Sequence, residues 1–195
     1  MIKTHHLLLI TALSLTACAA LKGNQSGYEN IIKFTPGDSL LTVPSTVKKQ
    51  LNESVIQANK AAGRYSANKL LLTGTDKMQT GNISRWLASQ QKKDIYRIDL
   101  SALVSKYIGE TEKNLNRVFI NAESKNSILF LDEADALFGK RTDIKDAHDK
   151  YANQEINYLL KRIEGYKGMV VIACNLDACI RRLEEIKVVK IEVEK

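Results

Sequence analysis

Two carboxylates stand side by side at the end of an unbroken apolar run. Ile128-Leu129-Phe130-Leu131 leads into Asp132 and Glu133, with Asp135 close behind. A short continuous apolar run bounded by polar residues reads as a buried strand, so Asp132 is held at a strand tip. A carboxylate there can hold a divalent cation through water, and its neighbour can polarise a water for attack on a phosphoryl group. The same residues also fit a buried strand followed by a plain acidic loop. A second stretch, Lys106-Tyr107-Ile108-Gly109-Glu110-Thr111, sets an aromatic, an apolar residue and a glycine in a row. It reads equally as a turn before a helix, with Thr111 as the cap.

These residues need a scaffold, and the chain supplies one. Ser45-Thr46 can cap a helix carrying Val47, Leu51, Val55 and Ala58 at helical spacing. Leu70-Leu71-Leu72-Thr73 is a buried-type strand ending at Gly74, and Ile83, Trp86 and Leu87 mark a short helix after it. Ile95-Tyr96-Arg97-Ile98 reads as a strand. Leu115, Val118, Phe119 and Ala122 give one helix face, and Ile156, Leu159, Leu160 and Ile163 another. Met169 to Ala173 is a further buried strand, and Val188 to Val193 a β-branched one at an edge. Strands alternate with helices, and the strands are continuous rather than alternating in hydropathy. That pattern predicts a parallel sheet covered on both faces, with the chemistry at the strands' C-terminal ends.

The joint pattern resembles the AAA+ ATPases over roughly residues 41–193. Ile128 to Asp135 is similar to the family's Walker B element, and Tyr107-Ile108-Gly109 to the pore loop that grips polypeptide in a ring channel. Asn175, at the end of Val171-Ile172-Ala173-Cys174, matches the sensor that contacts the γ-phosphate or the attacking water. Arg181 and Arg182 match the paired arginines that reach a neighbouring subunit's nucleotide. The resemblance implies an α/β P-loop NTPase-like core with a five-stranded parallel sheet, helices on both faces and the Walker B strand near the middle. It also implies ATP and Mg²⁺ as cofactors, with Asp132 as metal ligand, Glu133 catalytic, and Gly74, Thr80, Gly81 and Asp132 around the nucleotide.

The phosphate loop departs from the family pattern. A P-loop is Gly-x-x-x-x-Gly-Lys-[Ser/Thr], in which glycines let backbone N–H groups wrap the phosphates and the Lys neutralises them. Here the stretch is Gly74-Thr75-Asp76-Lys77-Met78-Gln79-Thr80-Gly81. Only Gly74 survives; Gln79 stands at the second Gly, Thr80 at the Lys and Gly81 at the hydroxyl residue. Asp76 brings negative charge to a place meant for phosphates. The chain ends at Lys195, where the family continues into a small helical lid, so the core is expected without one.

The N-terminus reads separately. Lys3 precedes the apolar stretch Leu7 to Leu15, which is too short for an ordinary membrane span and resembles a secretory signal. Leu15-Thr16-Ala17-Cys18 is similar to a bacterial lipobox, which implies cleavage before Cys18 and acylation there. Residues 1–17 are thus expected as signal peptide, 18–40 as a polar lipid-anchored tether, and 41–195 as the core domain. With Ala19 after the Cys, the resemblance implies a bacterial cell envelope, facing the periplasm from the outer membrane, or the cytoplasm if the signal is not used. Cys174 and Cys179 are expected as free buried thiols, with a disulfide as the alternative.

Composition narrows the function classes. Charged residues make up 26% and apolar ones 44% of the chain, the balance of a globular protein. The net charge of +7 is spread without a long basic run, so no nucleic-acid partner is expected. Three His and three Cys are too few for a His-rich metal site or a disulfide scaffold. Three readings remain open. One is a membrane-tethered scaffold or interaction module with weak or no ATP hydrolysis and at most weak self-association. The second is a working ATPase that remodels protein substrates, and the third is a decayed fragment of a longer ATPase.

Overall fold

The computed structural model describes residues 27–33, 41–60, 68–104, 107, 109–139 and 147–193. Cys18, the residues 1–17 expected as a signal peptide, and Ile108 lie outside the described residues. The elements run β1 (Glu29–Ile32), α1 (Ser45–Lys60), β2 (Lys69–Thr73), α2 (Lys77–Gln91), β3 (Ile95–Asp99), α3 (Leu100–Leu103) and α4 (Glu110–Ser124). After them come β4 (Ile128–Asp132), α5 (Asp135–Phe138), α6 (Ala147–Gly165), β5 (Val170–Ala173), α7 (Asp177–Glu184) and β6 (Val189–Glu192).

The strands form one six-stranded sheet in the order β1-β3-β4-β5-β2-β6. β3, β4, β5, β2 and β6 pair in parallel, and β1 joins β3 antiparallel. The expected five parallel strands are therefore present, with β4 inside the sheet and β6 at an edge. The sixth strand corrects the expected count of five. It comes from residues 29–32, within the stretch expected to be a polar tether. Tyr28, Ile31 and Ile32 supply its apolar contacts to the core. Four residues with Asn30 among them and Gly27 just ahead carried too little periodicity to read as a strand.

Strand alternation splits the core between the two faces of the sheet. Leu71, Leu129, Leu131, Val170 and Ile172 point to one side, against Leu115, Val118 and Phe119 of α4 and Leu159 and Ile163 of α6. Leu70, Leu72, Phe130, Val171 and Ala173 point to the other, against Val47 and Leu51 of α1 and Ile83, Trp86 and Leu87 of α2. Every residue of β2, β4 and β5 is buried. Burying one such Leu, Val or Phe side chain is worth about 1.5–3 kcal/mol, which is what fixes the register that lines up the strand tips. No helix among the described residues is long and apolar enough to cross a membrane.

Two local expectations change. Helix α4 is capped by Gly109 in the left-handed region (φ +80), not by Thr111, which is buried inside the first turn. Glu110 and Glu112 in that turn suit the positive end of the helix dipole. Cys174 and Cys179 are joined in a disulfide rather than left as free thiols, their Cα atoms 6.5 Å apart. The first turn of α7 brings Cys179 back under the end of β5, a separation that a disulfide spans without backbone movement.

Candidate functional site

The site forms where the parallel strands end. Asp99 and Asp132 are in register at the tips of β3 and β4, and Leu72 is paired with Ala173 at the ends of β2 and β5. Two hollows open on this edge. The smaller, about 30 Å³, is lined by Thr75, Asp76, Thr80, Asp132, Glu133, Asp135, Ala173 and Asn175. That is room for a water or two. The larger, about 220 Å³, lies beside it and includes Tyr28, Glu29, Arg97, Asp99, Asp132 and Glu133 in its walls.

The loop after β2 turns at Gly74, whose φ of +76 is one that side-chain-bearing residues rarely adopt. A Cβ there would also meet the Val193 carbonyl oxygen at 2.5 Å. The Gly74 N–H donates to Asn175 Oδ1 (2.8 Å), and Asn175 Nδ2 donates to the Thr75 carbonyl (3.1 Å). Asn175 thus ties the end of β5 to the loop after β2. It is itself held by Asp135, whose carboxylate accepts from the Asn175 and Leu176 N–H groups.

Helix α2 begins with a capping box. Asp76 Oδ1 accepts from the Gln79 N–H (2.8 Å), and Gln79 Oε1 accepts from the Asp76 N–H (3.1 Å). The buried Thr80 hydroxyl donates back to the Asp76 carbonyl at 2.7 Å. The side chains of Asp76, Gln79 and Thr80 are therefore all committed to the helix's own first turn.

At the tip of β4, Asp132 is buried with both carboxylate oxygens engaged. Oδ1 accepts from the Glu133 N–H at 3.0 Å. Oδ2 accepts from Arg97, through Nε at 3.0 Å and through a guanidinium NH₂ group. Glu133 follows with a left-handed φ of +53, a non-glycine geometry that costs of order 1–3 kcal/mol and clusters at functional sites. Across the larger hollow, Glu29 accepts from the Tyr96 hydroxyl at 2.7 Å. Burial, helped by that hydrogen bond, pushes Tyr96 up to about 12, so it remains a neutral donor there.

Of the residues singled out in the sequence, Thr80, Asp132, Glu133 and Asn175 share the smaller hollow. Gly74 shapes it from behind. Gly81 lies one position further into α2, outside its lining. Arg181 and Arg182 sit on α7 and do not line it either; Arg182 pairs with Glu185 (2.8 Å) and reaches Asn157 on α6 (2.7 Å). Tyr107 is exposed just ahead of α4, with Gly109 at the cap. Sequence reasoning did not single out Arg97. Its signal was one charge in the otherwise apolar run Ile95 to Ile98, on a strand next to that of Asp132.

With this geometry in place, comparison with known proteins decides the family. The family described as "ATPase family associated with various cellular activities (AAA)" matches residues 70–190. The chain belongs to the AAA family. It is 33% identical over 106 residues to the ATPase family gene 2 protein of Schizosaccharomyces pombe, covering 51% of this chain and 13% of that protein. It is 33% identical over 99 residues to an uncharacterised AAA family ATPase of Sinorhizobium fredii, covering 47% of this chain and 29% of that one. Proteasome-activating nucleotidase 2 of Halobacterium salinarum is 28% identical over 123 residues, covering 62% and 30%. The chain thus matches at most about a third of the length of these relatives. Membership implies ATP and Mg²⁺ as the family's ligands. Asp132 and Glu133 offer the hard oxygen donors that Mg²⁺ takes.

Proposed function

We propose that this chain is an AAA domain that holds ATP weakly or not at all and serves as an interaction or scaffold module. The observation that carries the reading is the Asp76 capping box. A phosphate binds a helix N-terminus by taking the first free N–H groups, aided by the positive end of the dipole. In α2 a carboxylate of the chain itself already takes the Gln79 N–H, and its negative charge repels a triphosphate. Thr80, at the place of the P-loop lysine, offers no positive charge and its hydroxyl is spent on Asp76. Loss of one charge-assisted contact to phosphate is worth about 1.5–3 kcal/mol, or roughly ten- to a hundredfold in affinity.

A second reading has its own support. Asp132, Glu133 and Asn175 converge on one hollow, the arrangement an active AAA ATPase uses. In that reading Mg²⁺ would supply charge neutralisation at the phosphates, Asp132 would hold it, and Glu133 would orient the attacking water. Asn175 would report on the loop after β2, to which it is already bonded, and the chain would act on polypeptide through Tyr107.

Calorimetry with ATP and Mg²⁺ on the full chain, beside a phosphate-release assay, separates the two. We expect binding weaker than low micromolar and no turnover. Low-micromolar binding, or turnover that Glu133→Gln abolishes, overturns the scaffold reading. The setting of the module is part of the same proposal: Lys3, the apolar run and Leu15-Thr16-Ala17-Cys18 support a lipid anchor at Cys18. Mass measurement of the protein from membranes should find acyl chains at Cys18, absent in Cys18→Ala; a cytosolic chain retaining Met1 would rule the anchor out.

A further inference from the structure

We propose that Arg97 is a built-in counter-ion that competes with a divalent metal for Asp132. A metal ligand in waiting keeps a carboxylate oxygen open to water. At Asp132 the oxygen Oδ2 is not open, because it accepts twice from the Arg97 guanidinium, while Oδ1 accepts from the Glu133 N–H. The Asp132 side chain is 10% exposed and that of Arg97 27%, so water screens the pair less than it does a pair on the open surface. A cation arriving at Oδ2 would need the same lone pairs that Arg97 holds and would sit beside its positive charge. Metal and Arg97 therefore exclude one another at that oxygen.

The fold gives Arg97 somewhere to go. It stands on β3 at the wall of the 220 Å³ hollow, whose other walls carry Glu29 and Asp99. Either carboxylate could receive the guanidinium when it leaves Asp132. Asp99 already caps α3 through the Ser101 and Ala102 N–H groups, and Glu29 holds the Tyr96 hydroxyl, so both are fixed in place. The inference concerns the metal alone and stands whether or not the loop after β2 takes ATP.

The test titrates Mn²⁺ into the nucleotide-free full chain and follows free Mn²⁺ by electron paramagnetic resonance. Arg97→Gln should bind Mn²⁺ about ten- to a hundredfold more tightly than the unaltered chain, the range set by a charge-assisted hydrogen bond. Arg97→Lys, which keeps a charge but not the fork, should fall between them. Adding Asp132→Asn to Arg97→Gln should remove the gain. Equal or weaker binding by Arg97→Gln overturns the proposal, as does a gain that survives Asp132→Asn. Circular dichroism reports whether each variant folds. If Arg97→Gln does not, Arg97→Lys carries the test: tighter binding than the unaltered chain supports the proposal and unchanged binding overturns it.

Discussion

The loop after β2 and the tip of β4 face each other across the same small hollow, and each is closed by a charge of the chain's own. They are closed in different ways. Asp76 is local: it caps the helix that starts one residue later, with Gln79 answering it. Arg97 is distant: it reaches Asp132 from the neighbouring strand, 35 positions away in the chain. The loop carries Asp76, Gln79 and Thr80, whose side chains serve the first turn of α2, whereas the β4 tip carries its carboxylates with Arg97 as their partner. A site can thus be closed by changing its residues or by supplying them with internal company. The first is undone only by rebuilding the loop, the second by removing one side chain.

The largest effect expected from testing this contrast is at Gly74, where the loop begins. Gly74→Val must place a Cβ 2.5 Å from the Val193 carbonyl oxygen, at a φ of +76. Backbone strain and overpacking together should cost about 2–4 kcal/mol in urea unfolding. Gly81 sits only a few residues on, inside α2, where nothing lies within 4 Å of an added Cβ. Gly81→Ala should instead stabilise by about 0.5–1 kcal/mol. Equal effects at the two glycines would mean that the turn at Gly74 does not hold the loop against the last strand.

The contrast also explains what could be read in advance. Alternating elements and unbroken apolar strands gave the parallel sheet, because burial on both faces leaves a mark on every residue of β2, β4 and β5. The motif positions Thr80, Asp132, Glu133 and Asn175 came together because each follows a strand in the same direction, and parallel strands end on one edge. Asp76 was visible as an ill-placed charge because its effect is local. The role of Arg97 was not, since it depends on which strand lies beside which. β1 was hidden for a similar reason: its stability comes from pairing with β3, with Asn30 opposite Arg97, and little from its own pattern. The disulfide required knowing that α7 folds Cys179 back beneath β5.

Next in size is the gain from rebuilding the loop. Lys77→Gly, Gln79→Gly, Thr80→Lys and Gly81→Thr together restore the family's phosphate-binding residues. Gln79→Gly also dissolves half of the capping box, since Gln79 Oε1 is the acceptor for the Asp76 N–H. The rebuilt chain should bind a fluorescent ATP analogue with Mg²⁺ roughly ten- to a hundredfold more tightly than the unaltered chain, the worth of a restored charge-assisted contact. Binding that stays unchanged in a folded variant would shift the blame for weak binding from the loop to the β4 tip, where Arg97 still occupies Asp132.

A smaller effect than that of the rebuilt loop belongs to Asp76 alone, and its two readouts should move in opposite directions. Asp76→Ala removes the acceptor for the Gln79 N–H and the carboxylate from the positive end of α2. Loss of an N-cap side chain of this kind costs about 0.5–2 kcal/mol, so urea unfolding should show a modest loss of stability. The same change uncovers the N–H that a phosphate would take and deletes a repelling charge. Placed in the rebuilt loop, Asp76→Ala should therefore strengthen nucleotide binding further while weakening the fold. In the unaltered loop it should lower stability and leave nucleotide binding weak, because Thr80 still brings no positive charge. Both losses together, of stability and of nucleotide binding in the rebuilt loop, would show Asp76 to be a support for the phosphate loop and not a substitute for its ligand.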